Sequence, residues 1–216
     1  MSVEDDKAST PDRPGLRRTG RLEAFSDGVL AFAITLLVLD LAVPVTEQSK
    51  QHLLRALADQ WPGYLGYIVS FATIGALWLG HNAITDYLDR ADTTLLRLNL
   101  LLLLLVTFLP FPTRLVSEYV HVTTARAERV AVTFYGLTLL IAAALLYLLW
   151  RYALHARLVR PDAGDEEITL LTGRLTPGLG AYALFIIVGL FLPVAAVIGY
   201  LVIAVFFLLP IRIRRR

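Results

Sequence analysis

The sequence predicts an all-α membrane protein that crosses the bilayer six times and keeps both termini in the cytoplasm. Hydrophobic residues make up 56% of the 216 residues, whereas soluble domains average roughly 45–50% apolar residues. The mean hydropathy is +0.63, and apolar stretches long enough to span a bilayer recur along the chain. Most of the 20 Lys and Arg residues fall at the termini and in alternate loops, which the positive-inside rule assigns to the cytoplasm.

The first span, at about 22–43, has a polar start and an apolar body. From Gly28 to Leu39 the only polar side chain is Thr35, and Asp40 follows. At about 1.5 Å per residue the span reaches roughly 33 Å, which exceeds a hydrocarbon core of about 30 Å. Ionisable residues inside a span are costly unless they are paired or face water. We therefore interpret this helix as one that lines or supports a conduction path.

Five further spans are predicted, at about 61–84, 95–116, 130–154, 177–191 and 194–210. Pro110 and Pro112 predict a break or kink near the end of the third span, and Pro193 divides the last apolar run into two helices. The polar stretches 44–60 and 156–176 are interpreted as loops. One long kinked helix at the end would give five spans and place the Arg-rich end outside, so the charge distribution favours six.

The predicted domain organisation is simple. We expect residues 1–20 to form a disordered cytoplasmic tail, 21–210 the six-helix transmembrane domain and 211–216 a basic cytoplasmic end that binds anionic headgroups. The chain has no Cys and contains no GxxxxGK[ST], HExxH, GxSxG or TVGYG motif, and its His residues are scattered. We therefore predict no enzyme, no cofactor, no metal site and no nucleic-acid partner.

Polar residues near the cytoplasmic ends of the first three spans form one candidate site. The alternating direction of the spans brings these residues to one depth: Arg21, Ser26, Asp27, His81, Arg97 and Asn99. They could hold three helices together by hydrogen bonds. They could also relay protons or gate a path, because His titrates near neutral pH. The sequence pattern leaves both interpretations open.

An apolar stripe on the first span forms a second candidate site. Phe32, Leu36 and Leu39 are separated by four and three residues, so they share one helical face, with Thr35 beside it and Asp40 at the extracellular end. Such a face could contact lipid or the protein core. If several copies met around an axis, the side chains would form a hydrophobic constriction and Asp40 would attract cations at the outer mouth.

Residues 21–28 read R-L-E-A-F-S-D-G. This resembles the R-x-x-x-F-S-D-G signature that opens the first helix of the transmembrane protein 175 family of potassium channels, whose members include bacterial proteins and a lysosomal one. The second-span WLGHN and the third-span LNLLLLLLVTFLPFPT are also similar to the family. The resemblance therefore extends over nearly the whole chain.

The resemblance implies a homotetramer in the bacterial inner membrane that passes K⁺, and other monovalent cations, along the first helix. It implies a constriction at Phe32, Leu36 and Leu39, with Thr35 in a nearby polar layer. Family channels usually have Ile or Leu at the position of Phe32, so we expect this Phe to affect gate diameter and selectivity. A structural role beside the pore helix is implied for Arg21, Phe25, Ser26, Asp27, His81 and Asn99.

The main hypothesis is thus a K⁺-preferring cation channel without a TVGYG filter. A proton-coupled transporter or proton pathway that uses Asp27 and His81 is the alternative. A membrane scaffold that conducts no ions is a third hypothesis.

Overall fold

The computed structural model describes residues 19–41, 52–120 and 124–209, and these residues are mostly helical. The helices are α1 (Gly20–Leu36), a 3₁₀ helix that continues it (Leu37–Asp40), α2 (Leu53–Asp59), α3 (Trp61–Thr85), α4 (Thr93–Phe108), α5 (Pro110–Tyr119), α6 (Ala125–His155), α7 (Asp165–Gly189) and α8 (Pro193–Leu208). The predicted all-α fold is confirmed. Of the predicted tail 1–20, residues 1–18 lie outside the described residues and Gly20 is already the first residue of α1. The basic end 211–216 also lies outside the described residues.

Among the described residues, five segments are long and apolar enough to cross a membrane: Gly20–Leu39, Trp61–Thr85, Thr93–Tyr119, Ala125–His155 and Asp165–Gly189. The apolar α8 has 16 residues, and at about 1.5 Å per residue it is roughly 24 Å long. That length is slightly below a hydrocarbon core of about 30 Å. A multi-pass membrane protein is therefore confirmed, while the sixth crossing and the cytoplasmic position of both termini stay predictions.

Prolines fix several helix boundaries. The third span breaks at Leu109, where α4 ends and α5 begins with Pro110, because proline lacks the amide hydrogen that a continuous helix needs. Pro193 occupies the first position of α8, where its missing amide hydrogen costs nothing. The predicted kink and the predicted division of the last apolar run both agree with the structure.

The loop predicted at 156–176 is wrong in its second half. Helix α7 begins at Asp165 and passes through Pro177 without ending there. Its first turn carries Asp165, Glu166 and Glu167, and these carboxylates interact favourably with the positive end of the helix dipole. The polar composition of this stretch, which is also typical of a loop, is here that of the acidic first turn of a helix.

Helix α6 contacts α3, α4, α5, α7 and α8, so it lies at the centre of the bundle, whereas α1 packs mainly against α3 and α4. The buried residues of α1 recur every three or four positions along one face: Leu22, Ser26, Leu30 and Ala33. Among the described residues, α1 therefore packs against the bundle along one side.

The linkers that follow α3 and α6 pair with each other. Leu88 and Val159 form an isolated antiparallel bridge. The Asp89 amide donates to the carbonyl of Leu158 at 2.9 Å, and the amide of Arg160 donates to the carbonyl of the residue before Leu88 at 3.0 Å. This pairing joins the α3–α4 pair to the α6–α7 pair at one end of the bundle.

Candidate functional site

The outer face of α1 is an apolar stripe that none of the other described residues covers. Phe25, Phe32 and Leu39 are 55%, 61% and 75% exposed and are spaced seven residues apart. Gly28 and Thr35 lie between them and are also exposed. This alternation of three and four residues keeps all five on one side of the helix, as in a coiled-coil seam. We call these five residues the α1 stripe.

Leu36 and Asp40, which are also predicted at the constriction and the outer mouth, do not belong to the α1 stripe. Leu36 is half-buried at the margin between the stripe and the packed face, whereas Thr35 lies on the stripe itself. Asp40 is the last residue of the 3₁₀ helix, and its side chain lies outside what the structure describes.

Three predicted polar residues meet in a buried cluster that joins α1 to α3 and α4. The Ser26 hydroxyl donates to the carbonyl of Leu22 at 2.8 Å and accepts the Asn99 amide at 2.9 Å. His81 Nε2 lies 2.8 Å from Asn99 Oδ1. Because an amide oxygen only accepts, His81 Nε2 is the donor. Ser26, His81 and Asn99, which are at most 2% exposed, form what we call the α1 polar cluster.

Asp27 lies beside this cluster but does not belong to it. Its carboxylate is exposed and accepts a hydrogen bond from the Trp78 indole at 2.9 Å. The predicted grouping of Asp27 with His81 is therefore wrong, and the partner of Asp27 is Trp78, which was not predicted. A tryptophan three residues before His81 was the available signal, because an indole N–H in an apolar setting needs an acceptor. Three further predicted residues are exposed: Arg21, Phe25 and Arg97.

A second polar cluster, which the sequence interpretation also missed, joins α3, α5 and α6. Ser70 Oγ lies 2.6 Å from Thr113 Oγ1 and 2.8 Å from the Tyr135 hydroxyl. The Thr113 hydroxyl donates to the carbonyl of Leu109 at 2.8 Å. Ser70 therefore donates to Thr113 and accepts from Tyr135, which satisfies each hydroxyl hydrogen.

Within the described ranges, no group of three or more His, Asp or Glu side chains could hold a metal ion.

Residues 21–110, which reach from α1 to the start of α5, match the family described as "Endosomal/lysosomal potassium channel TMEM175". A protein of Streptomyces collinus that is named as a potassium channel is 43% identical over 135 residues, which cover 62% of this chain and 64% of that protein. A protein of Chamaesiphon minutus, also named as a potassium channel, is 40% identical over 173 residues, which cover 79% of this chain and 84% of that protein.

The chain belongs to the TMEM175 family. A crystal structure described as a lysosomal potassium-selective channel TMEM175 homolog from Chamaesiphon minutus matches with a TM-score of 0.79 and 37% identity, over 88% of this chain and 96% of that one. The human relative, named as an endosomal/lysosomal proton channel, is 34% identical over 72% of this chain and 32% of its own length. The family predicted from the sequence is confirmed, and it is a family of ion channels and not of enzymes.

This TMEM175 chain spans just under two thirds of the Streptomyces relative and about a third of the human one. The pore roles of Phe32, Leu36, Leu39, Thr35 and Asp40 therefore stay predictions.

Proposed function

We propose that this chain is the subunit of a potassium-permeable cation channel in the bacterial inner membrane, formed by four copies arranged around α1. The observation that carries the proposal is the α1 stripe: α1 is packed on one face and bare on the other. Four copies around an axis would bury these apolar side chains against each other. The names of the two bacterial relatives support K⁺ as the permeant ion.

In such an assembly, rings of Phe32, Leu36 and Leu39 form a hydrophobic constriction that closes the path by excluding water. Thr35 contributes a ring of hydroxyls between them. Its Oγ1 donates to the carbonyl of Phe32 at 2.7 Å, so its remaining lone pairs are available to a cation. No TVGYG loop is needed, because hydroxyl oxygens replace part of the hydration shell of the ion.

The α1 polar cluster has a positioning role in this proposal. It fastens the packed face of α1 to His81 on α3 and Asn99 on α4, while the stripe stays free to meet other copies. Buried hydrogen bonds of this kind favour one helix orientation over others, because a rotated helix would leave polar groups unpaired.

Ion flux into liposomes tests the pore assignment. We expect the purified chain to carry K⁺ faster than Na⁺ under an imposed potential. Leu39→Ala should change the rate or the K⁺/Na⁺ ratio severalfold, because it truncates the most exposed of the three large apolar side chains of the stripe. The matched control is Leu104→Ala on α4, a leucine that is 66% exposed and lies outside the stripe.

If both variants conducted like the unmodified chain, the pore would not run along the α1 stripe. Silence of the unmodified chain to all monovalent cations would favour the scaffold hypothesis.

A proton pathway through Asp27 and His81 is the second candidate function. His81 is fully buried beside α1, and its Nδ1 makes no hydrogen bond to the described residues. The name of the human relative supports proton conduction. We expect His81→Gln, whose amide can still donate to Asn99, to keep K⁺ flux near its original rate. Proton flux, measured with a pH-sensitive dye, separates the two functions. If His81→Gln abolished proton flux and left K⁺ flux unchanged, the result would support the proton pathway.

A further inference from the structure

A groove between α5 and the start of α6 has a charged mouth and an apolar floor. It encloses about 600 Å³, which lies within the range of about 300–1,000 Å³ that is typical of small-molecule sites. Its wall includes Phe111 and Leu115 on α5 and Val130 and Phe134 on α6, and Arg126 lies at the end nearest the α5–α6 connection. Neither the pore nor the two polar clusters uses this groove.

The floor of the groove is built from aromatic rings that contact one another. Phe111 and Phe134 meet edge to face, with ring centroids 6.1 Å apart. Phe108 contacts both of them, at 5.4 Å and 6.2 Å. Phe111 is 52% exposed and Val130 is 63% exposed, so the floor and the rim have a large apolar surface left to cover. Such a surface favours the binding of a hydrocarbon chain.

The mouth of the groove selects for negative charge. The side chain of Arg126 is exposed and makes no ion pair with any described residue. Arg114 on α5, by contrast, pairs with Glu118 at 2.7 Å. Arg126 and Phe134 are eight positions apart on one helix, a distance of about 12 Å. The groove thus runs from a free guanidinium at the helix end into the apolar part of the span.

We propose that this groove binds a phospholipid with an anionic headgroup, with the phosphate at Arg126 and one acyl chain lying against Phe111 and Phe134. Both helices belong to candidate membrane spans, so bilayer lipid reaches the groove directly. A guanidinium near the headgroup level attracts anionic lipids. The apolar floor holds the chain, and the charge at the mouth sets the preference among headgroups.

Native mass spectrometry of the purified full chain in detergent tests this proposal. The probes are phosphatidylglycerol and phosphatidylcholine with the same acyl chains. We expect phosphatidylglycerol to be retained preferentially, and Arg126→Gln to lower that preference about fivefold, the effect of one basic residue near a lipid surface. Arg129→Gln, three residues further along α6 and also exposed, is the matched control and should keep the preference.

A second variant tests the apolar part. Val130→Trp fills the groove from an exposed position, so we expect it to reduce retention of both lipids while the number of subunits per assembly stays the same. Equal headgroup preference in Arg126→Gln and Arg129→Gln would overturn the proposal, as would unchanged lipid retention in Val130→Trp. A change in subunit number in Val130→Trp would also overturn it, because the groove would then be a contact between copies.

Discussion

At the scale of single residues, Asn99 is the central member of the α1 polar cluster. Its amide donates to Ser26 on α1 and accepts from His81 on α3. Ser26 has a second partner in the carbonyl of Leu22, whereas His81 has no other hydrogen bond among the described residues. Removing the Asn99 amide therefore affects His81 most, because it leaves a buried imidazole without any partner.

We expect Asn99→Leu to lower the stability of the subunit by about 1–3 kcal/mol, the usual cost of leaving a buried donor unpaired. Thermal unfolding in detergent, followed by tryptophan fluorescence, measures the change. Thr107→Val is the control on the same helix: Thr107 is exposed and donates only to the carbonyl of Leu104. If both variants unfolded at the same temperature, the cluster would contribute nothing to the attachment of α1.

The residues of this cluster show what could be predicted at this scale. The sequence pointed to Ser26, His81 and Asn99 because polar residues inside apolar spans need partners. It did not separate Asp27 from them, because one residue along a helix turns the side chain by about 100° and so toward Trp78. Ser70 and Tyr135, which are 65 positions apart, were missed because hydroxyls are common in membrane helices and only the fold brings these two together.

At the scale of helices, α1 differs from the others because its two faces have different environments. The packed face holds Leu30 and Ala33 at 1% and 0% exposure, while Phe32 between them is 61% exposed. A change at Phe32 should therefore affect what the stripe meets and not how α1 packs in its own subunit.

We expect Phe32→Leu to widen the constriction and raise K⁺ flux severalfold, because leucine has a smaller side chain than phenylalanine. The unfolding temperature should stay nearly the same, since the side chain is mostly exposed in the subunit. Phe191→Leu, at a phenylalanine that is 72% exposed after α7, should change neither quantity. If Phe32→Leu lowered the unfolding temperature strongly and left K⁺ flux unchanged, Phe32 would contribute to packing within the subunit and not to the pore.

At the scale of the whole molecule, hydropathy and proline positions predicted the order and approximate bounds of the apolar helices. The start of α7 was not predicted, because its acidic first turn has the composition of a loop. The proposed assembly around α1 could not be derived from residue spacing, because contacts with other copies and contacts with lipid would give the stripe the same apolar periodicity. That part of the prediction came from the family resemblance.

The 3₁₀ segment at the end of α1 has a mechanical consequence. A 3₁₀ helix has about 3.0 residues per turn and a rise of about 2.0 Å per residue, against about 3.6 residues and 1.5 Å in an α-helix. Rewinding residues 37–40 into an α-helix would therefore shorten α1 by about 2 Å and swing Leu39 through about 60° around the helix axis. In the proposed tetramer, this change would alter the diameter of the constriction by rotating the outer end of each α1, without any tilt of the helices.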